Sequence, residues 1–267
     1  LVGPEGGGMA AMCTMMNNAR LGVGGQGIGV AEGAYQHALT YALERKQGKA
    51  EGMPQAKGGN AIIDHADVRR MLMTMRAETF AARAIAMSCA VAIDMANATG
   101  EEAWKSRAAL LTPIAKAFGT DIGNEVAAMG IQVHGGMGFV EETGAAQFAR
   151  DVRVTTIYEG TNGIQAMDLV ARKMLDGGEA LNRILDEVEN AAEAAREKLP
   201  KLAEPVWQAA ESLRETTEWL NNQNHRVRFA GAVPYLRACA RVLGGHAHLA
   251  AALNDPDGRY EKVARFY

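Results

Sequence analysis

The sequence predicts an all-α protein, and three observations carry that reading. Apolar residues fill 48% of the 267 positions while aromatics account for only 6%, so small and flexible residues supply the apolar content. Ala and Met favour helices, and β-branched runs are almost absent. Apolar positions also recur at steps of three or four through most of the chain, which is the period of one helix face.

The first predicted helix runs from Met9 to about Gln47, with Met12, Met16, Val23, Ile28, Val30, Ala34, Ala38, Leu39 and Ala42 as its apolar positions. Gly22, Gly24, Gly25, Gly27 and Gly29 lie inside it, and each exposed one costs roughly 1 kcal/mol against Ala. A cluster of that kind implies something large against the backbone, either another helix or a ligand. Gly48 to Asn60 lacks periodicity and reads as a loop. A second helix spans about Asp64 to Ala98 on a stripe from Val68 through Met75, Ile85 and Cys89 to Ile93, and Thr99-Gly100 ends it. A third spans about Glu102 to Met129, with a kink or restart expected at Thr112-Pro113. Ile131 to Phe139 reads as a glycine-rich turn, Thr143 to Arg150 as a short helix, and Val152 to Gly160 as an extended linker. Thr161 is the expected N-cap of a helix reaching about Leu175. Asp176-Gly177-Gly178 divides residues 1–175 from 176–267. Three amphipathic helices are expected beyond it, over 179–199, 205–224 and 227–253.

A chain of this length buries a core of one or two domains. Its net charge of −3 gives no electrostatic reason for nucleic acid or an anionic membrane as partner. No stretch approaches the ~20 uncharged apolar residues of a membrane span. Cys13, Cys89 and Cys239 lack metal or redox spacing and read as reduced packing thiols, which points to a cytoplasmic protein. No metal site is expected. His246 and His248, two apart, face different sides of one helix. His65 and His134 read as capping or core-edge residues, Glu141-Glu142 as a solvated pair, and Trp104, Trp207 and Trp219 as packing residues. The opening run Leu1 to Gly8 reads as a turn leaving an earlier domain.

The segment richest in chemistry is Arg150 to Gln165. It holds a carboxylate, Glu159, directly before a helix N-terminus whose free N–H groups at Thr161, Asn162 and Gly163 can face an anion or polar ligand. A surface loop with an N-cap fits the same local pattern. The stretch "IYEGTNGIQ" (Ile157 to Gln165) closely resembles the signature of acyl-CoA dehydrogenases. "NNARLGVGGQGIGVAEGA" (Asn17 to Ala34), "YALERKQGK" (Tyr41 to Lys49) and "IQVHGGMGF" (Ile131 to Phe139) resemble three further segments of that family, in order. Residues 176–267 and the insertion from Ala50 to Leu72 resemble the larger bacterial members, a branch that includes 3-methylmercaptopropionyl-CoA dehydrogenases.

The resemblance implies an up-down four-helix bundle of the family's C-terminal domain type, with an appended helical unit. It implies FAD as cofactor, an acyl-CoA substrate, an electron-transfer flavoprotein as acceptor, and a homodimer or homotetramer. Glu159 stands where the family keeps the base that removes the α-proton as hydride leaves the β-carbon for flavin N5. The family's donors to the thioester oxygen are the base's own N–H and a ribityl hydroxyl. Arg45 and Gln47 match residues that meet the cofactor of a neighbouring subunit. Gln132 and Gly136 match positions at its adenine half, and Thr161 one that bonds it from the helix start. Arg20 and Asn17 match the substrate side, with Asn17 where many members have Asp, and Gly160 lines the substrate beside the base. Gly48 replaces a common Phe, and Gly163 a residue that often contacts FAD. Read without the resemblance, Arg45-Lys46 also suits the dipole at a helix end, and Gln132 an ordinary turn. An acyl-CoA oxidase on the same fold, or a non-catalytic helical oligomerisation domain, remain the alternative readings.

Overall fold

The computed structural model describes residues 3–54 and 56–267, without the side chains of Ala10 and Cys13, so the packing expected of Cys13 lies outside the described residues. Three long helices dominate: α1 (Gly8–Glu44), α2 (Ala66–Thr99) and α3 (Glu102–His134). At 1.5 Å per residue each is roughly 50–55 Å long, so they pack against one another along matched lengths. Gly100, at φ 72, caps α2 with its N–H on Ala96 O, and the chain turns straight back into α3.

The glycines of α1 sort into two groups. A Cβ on Gly24 would sit 2.7 Å from Ala115 O, and one on Gly27 would sit 2.5 Å from Gly119 O. Gly119 and Gly123 of α3 meet Gly24 and Gly27 just as closely from the other side. These four positions let the two backbones touch, so the expected bulky neighbour is α3. Gly22, Gly25 and Gly29 face open space.

Beyond α3 come α4 (Gly136–Phe139), α5 (Ala145–Val152) and α6 (Asn162–Asp168), then a π-helical stretch Leu169–Lys173. α5 lies on α3 and α1, while α6 lies on α3. The chain continues through α7 (Glu179–Ala195), α8 (Pro200–Asn221), α9 (His225–Ala230), α10 (Ala232–Leu253) and α11 (Arg259–Phe266). Asp176 caps α7 by accepting from the N–H groups of Gly178 and Ala180, both at 2.9 Å. α10 packs on α2, α3 and α6. One continuous apolar core therefore runs from Ile28 of α1 through Leu185 of α7 to Val242 of α10.

Several expectations need correcting. α1 stops at Glu44, and α3 runs unbroken through Pro113 to His134, because every residue from Leu110 to Thr120 is buried around the Pro. The glycine-rich turn shrinks to Gly135, at φ 60. The linker expected to be extended is a 3-10 turn over Arg153–Thr156 followed by a left-handed kink. Gly231 divides the last expected helix, and α11 was not anticipated. Trp219 is 56% exposed rather than packed. α2 is long and apolar enough to cross a membrane by length and composition. Met75, Ala81, Ile85 and Cys89 of α2 are buried against its neighbours, while Met87 and Val91 are exposed. Cys89 and Cys239 are both buried, with their thiols pushed up by burial.

Gly27→Ala should lower stability by about 1–3 kcal/mol, because its methyl meets backbone on a second long helix. Gly25→Ala, two positions away on the open face, should raise stability by up to about 1 kcal/mol. Urea unfolding of the two variants checks both signs.

Candidate functional site

The turn between α5 and α6 is held from three sides. On α3, Lys116 and Thr120 sit one turn apart on the face toward α6. Lys116 is fully buried, and its ammonium donates to Gly160 O at 2.9 Å and to Asn162 Oδ1 at 2.8 Å. The Asn162 amide donates in turn to Ala117 O at 3.2 Å and Asp121 Oδ1 at 2.7 Å. From within α6, the fully buried Gln165 donates to Glu159 O at 3.1 Å and Gly160 O at 3.4 Å. From α1, Gln26 accepts the Tyr158 hydroxyl.

The result is a kink with Glu159 at φ 56 and Gly160 at φ 83. Glu159 is the one non-glycine residue with positive φ among the described residues. A side chain in that region costs on the order of 1–3 kcal/mol, and persists where its surroundings over-determine it. The peptides are trans. With the Glu159 and Gly160 carbonyls turned inward, the N–H groups of Gly160 and Thr161 point the opposite way. Thr161 is the N-cap of α6 as expected, its Oγ1 accepting from Ile164 N at 3.4 Å. Glu159 Oε2 is buried without a hydrogen-bond partner.

Arg20 reaches the same junction from α1. It donates to Asn17 Oδ1 at 3.1 Å and pairs with buried Asp168 of α6 at 3.4 Å. Burial pushes the Lys116 ammonium down to about 8; Asp121 and Glu159 act against the shift and Arg20 adds to it. Asp121 is raised, first by its own burial. Two cations, Arg20 and Lys116, and three carboxylates, Asp121, Glu159 and Asp168, thus share the junction of α1, α3 and the turn.

Other predicted residues lie elsewhere. Arg45 and Gln47 line a groove of about 330 Å³ with Tyr41, His65 and His134. Helical rise puts Arg45 roughly 37 Å along α1 from Arg20. Gln132 and Gly136 are exposed beside that groove, which Val133, His134 and Gly135 help to line. Glu159, Gly160, Thr161, Asn17 and Arg20 therefore cluster at one end, and Arg45, Gln47, Gln132 and Gly136 at the other. His65 stands at the N-cap position of α2 and donates to Gln47 O at 2.8 Å. His134 is buried in a stack with Tyr41 and His37, with centroids 4.3 and 4.8 Å away. Glu141 pairs with Arg150. No cluster of three metal-ligating side chains occurs among the described residues.

Sequence reasoning missed Lys116, Asn162, Gln165 and Asp168. For Lys116 a signal existed: it is a lone charge in the apolar run Leu110 to Phe118, and a charge on a buried face needs a partner.

Residues 6–175 match the family described as acyl-CoA dehydrogenase, C-terminal domain. The chain belongs to the acyl-CoA dehydrogenase family. Residues 184–267 match a second family, acetyl-CoA dehydrogenase C-terminal like. The 3-methylmercaptopropionyl-CoA dehydrogenase of Ruegeria pomeroyi is 42% identical over 92% of this chain and 43% of its own length. Among solved structures, Caenorhabditis elegans ACDH-11 in complex with C11-CoA superposes with a TM-score of 0.82 at 19% identity, over 97% of this chain and 43% of that one. The acyl-CoA dehydrogenase of Bacillus anthracis complexed with FAD gives 0.75 at 18%, over 98% and 47%. Both structures share the fold. The chain spans less than half the length of the curated acyl-CoA dehydrogenases it matches.

Gly160→Ala should destabilise by about 1–3 kcal/mol, because the residue sits at positive φ and its Cβ would lie 2.8 Å from buried Gln165 Nε2. Gly163→Ala, inside α6 and with no neighbour nearer than 4.0 Å, should be neutral or mildly stabilising. Thermal melts of the two variants test the contrast.

Proposed function

We propose that this chain is the helical C-terminal part of an FAD-dependent acyl-CoA dehydrogenase, with Glu159 as acceptor of the substrate's α-proton. The observation that carries the reading is Glu159 itself. A glutamate in left-handed backbone, with one carboxylate oxygen buried and unpartnered, sits at a helix N-terminus inside the family's signature stretch. Backbone strain of that kind clusters at functional sites.

A carboxylate is a weak base toward the carbon beside a thioester carbonyl, so the site must stabilise the charge that develops on the thioester oxygen. N–H groups aimed at that oxygen contribute ~3–4 kcal/mol each, and the family resemblance assigns one to Glu159's own backbone. Gly160 lets substrate approach beside the base, and Asn17 and Arg20 border the same junction. Arg20, already paired with Asp168, presents a fixed positive charge on the substrate side. The chemistry named for the relative from Ruegeria pomeroyi supports an acyl-CoA thioester as substrate class.

The residues present fit FAD. The groove holding Arg45 and Gln47 offers a guanidinium suited to a pyrophosphate and an amide suited to a base edge. His134 Nε2, in its lining, is buried without a partner. When bound, the flavin supplies the acceptor for the β-hydride. Gln132 and Gly136 would hold its adenine half, and Thr161 would bond it at the other end. Arg45 lies too far along α1 from Glu159 for both to close on one small group, which supports a homodimer or homotetramer in which the two ends serve different copies. An electron-transfer flavoprotein is the proposed acceptor.

In the full-length protein, Glu159→Gln should lower acyl-CoA-dependent dye reduction by about 10²–10⁴ while flavin absorbance per subunit stays constant. Turnover at the parental rate would remove the reading. The 267-residue chain by itself should bind little flavin and show no turnover.

A further inference from the structure

Lys116 occupies a position that packing would fill better with a methionine. It is fully buried on the inner face of α3, between Ala115 and Ala117, which are also buried. Removing an ammonium from water costs several kcal/mol, and a paired buried charge is often no more stabilising than an apolar isostere. Its two short hydrogen bonds converge on the turn and the helix start that follows it. One goes to the carbonyl of the residue after Glu159, the other to the Asn162 amide at the start of α6. Thr120 Oγ1 adds a donor to the same Asn162 oxygen at 3.2 Å, and Gln165 holds the adjoining Glu159 carbonyl. The left-handed kink is thus fastened from behind by groups on two helices, and Lys116 supplies the charged one.

We propose that Lys116 is a positioning residue for the Glu159 turn: its ammonium fixes Gly160 O and Asn162 against α3, and thereby fixes where the Glu159 carboxylate is presented. The proposal rests on the reading of Glu159 as base. It extends that reading to a residue that touches neither substrate nor cofactor.

The charge on Lys116 matters as well as its reach. Asp121 faces it from its own helix, Arg20 from α1 together with Asp168 of α6, and Glu159 from the turn. An ammonium held near about 8 loses its proton just above neutral pH. The amine left behind donates weaker bonds and no longer faces Glu159 with a positive charge. Because this value lies below that of an unfolded lysine, the unfolded chain binds the extra proton between about 8 and 10.5. Stability from this group alone therefore rises with pH across that window, while the grip on the turn weakens. Stability and activity move in opposite directions, which a purely structural lysine does not produce.

The test compares full-length wild type, Lys116→Met, Lys116→Gln and Glu159→Gln, loaded with flavin. Lys116→Met should lower kcat by roughly 10–100-fold, the cost of a misplaced catalytic group, with KM changed by less than about threefold. Lys116→Gln, which keeps one donor, should fall between. Wild-type kcat should decline above pH ~8, and that limb should be absent from both lysine variants. If Glu159→Gln is inactive while Lys116→Met keeps wild-type kcat and pH limb, positioning is overturned and the base stands. If Glu159→Gln stays active, the base reading falls. Carbonyl ¹³C NMR of Gly160 in the full-length protein then decides the turn by itself. Its resonance should move with a midpoint near pH 8 in wild type, and should not in Lys116→Met. This wild-type titration also serves if Lys116→Met fails to fold, and a Gly160 carbonyl unmoved from pH 7 to 9.5 overturns the proposal.

Discussion

The contact on which the rest depends is the meeting of two backbones, α1 and α3, through Gly24, Gly27, Gly119 and Gly123. Any side chain there would push the helices apart by the width of a methyl group or more. Val152, at the end of α5, packs into the same notch at Gly123. The entry to the Glu159 turn is therefore registered against both long helices at once. That registration lets Gln26 of α1 and Lys116 of α3 reach one short stretch of chain from different directions. It also brings Arg20 to the face that α6 covers.

What could be read in the sequence was what short-range physics decides. The stripe from Val68 to Ile93 marks α2 to within two residues at either end, and Thr161 marks the start of α6, because a cap bonds only two or three residues ahead. The conformation of Glu159 was not legible. Local preference favours an extended linker there. The left-handed kink exists because Gln165 and Lys116 capture two successive carbonyls, and Lys116 is 44 residues away from Gly160 in sequence. The π-helical stretch at Leu169–Lys173 was hidden for the same reason. Arg228, far along the chain, donates to Val170 O within it, and nothing local signals that. Pro113 misled in the opposite direction, since burial on all sides of α3 outweighs the break a proline favours in an exposed helix.

The candidate site divides by distance. Residues matched by family resemblance fall at both ends of α1, and a helix of this length is close to a rigid rod. Motif order along the sequence carries no information about that separation. It places Tyr41 to Lys49 and Ile157 to Gln165 in one family pattern without saying that they lie far apart. Only the packing of α1 against α3 shows that the groove beside His134 and the turn beside Arg20 are separate places.

A buried lysine beside a strained glutamate looks, residue by residue, like two losses of stability. Taken together they form one device. The strain at Glu159 turns its carbonyl inward, where Gln165 and Lys116 satisfy it and its neighbour, and the same rotation turns the following N–H groups outward. The desolvated ammonium is tolerated because Gly160 O and Asn162 Oδ1 accept from it and the Asp121 charge favours it. Replacing Lys116 by an apolar residue would leave Gly160 O and Asn162 Oδ1 without their charged donor, and that dependence stiffens the turn. A stiff turn anchored to a 33-residue helix can hold a carboxylate in place without closing over it, leaving its outer face open to whatever approaches from the side of Arg20.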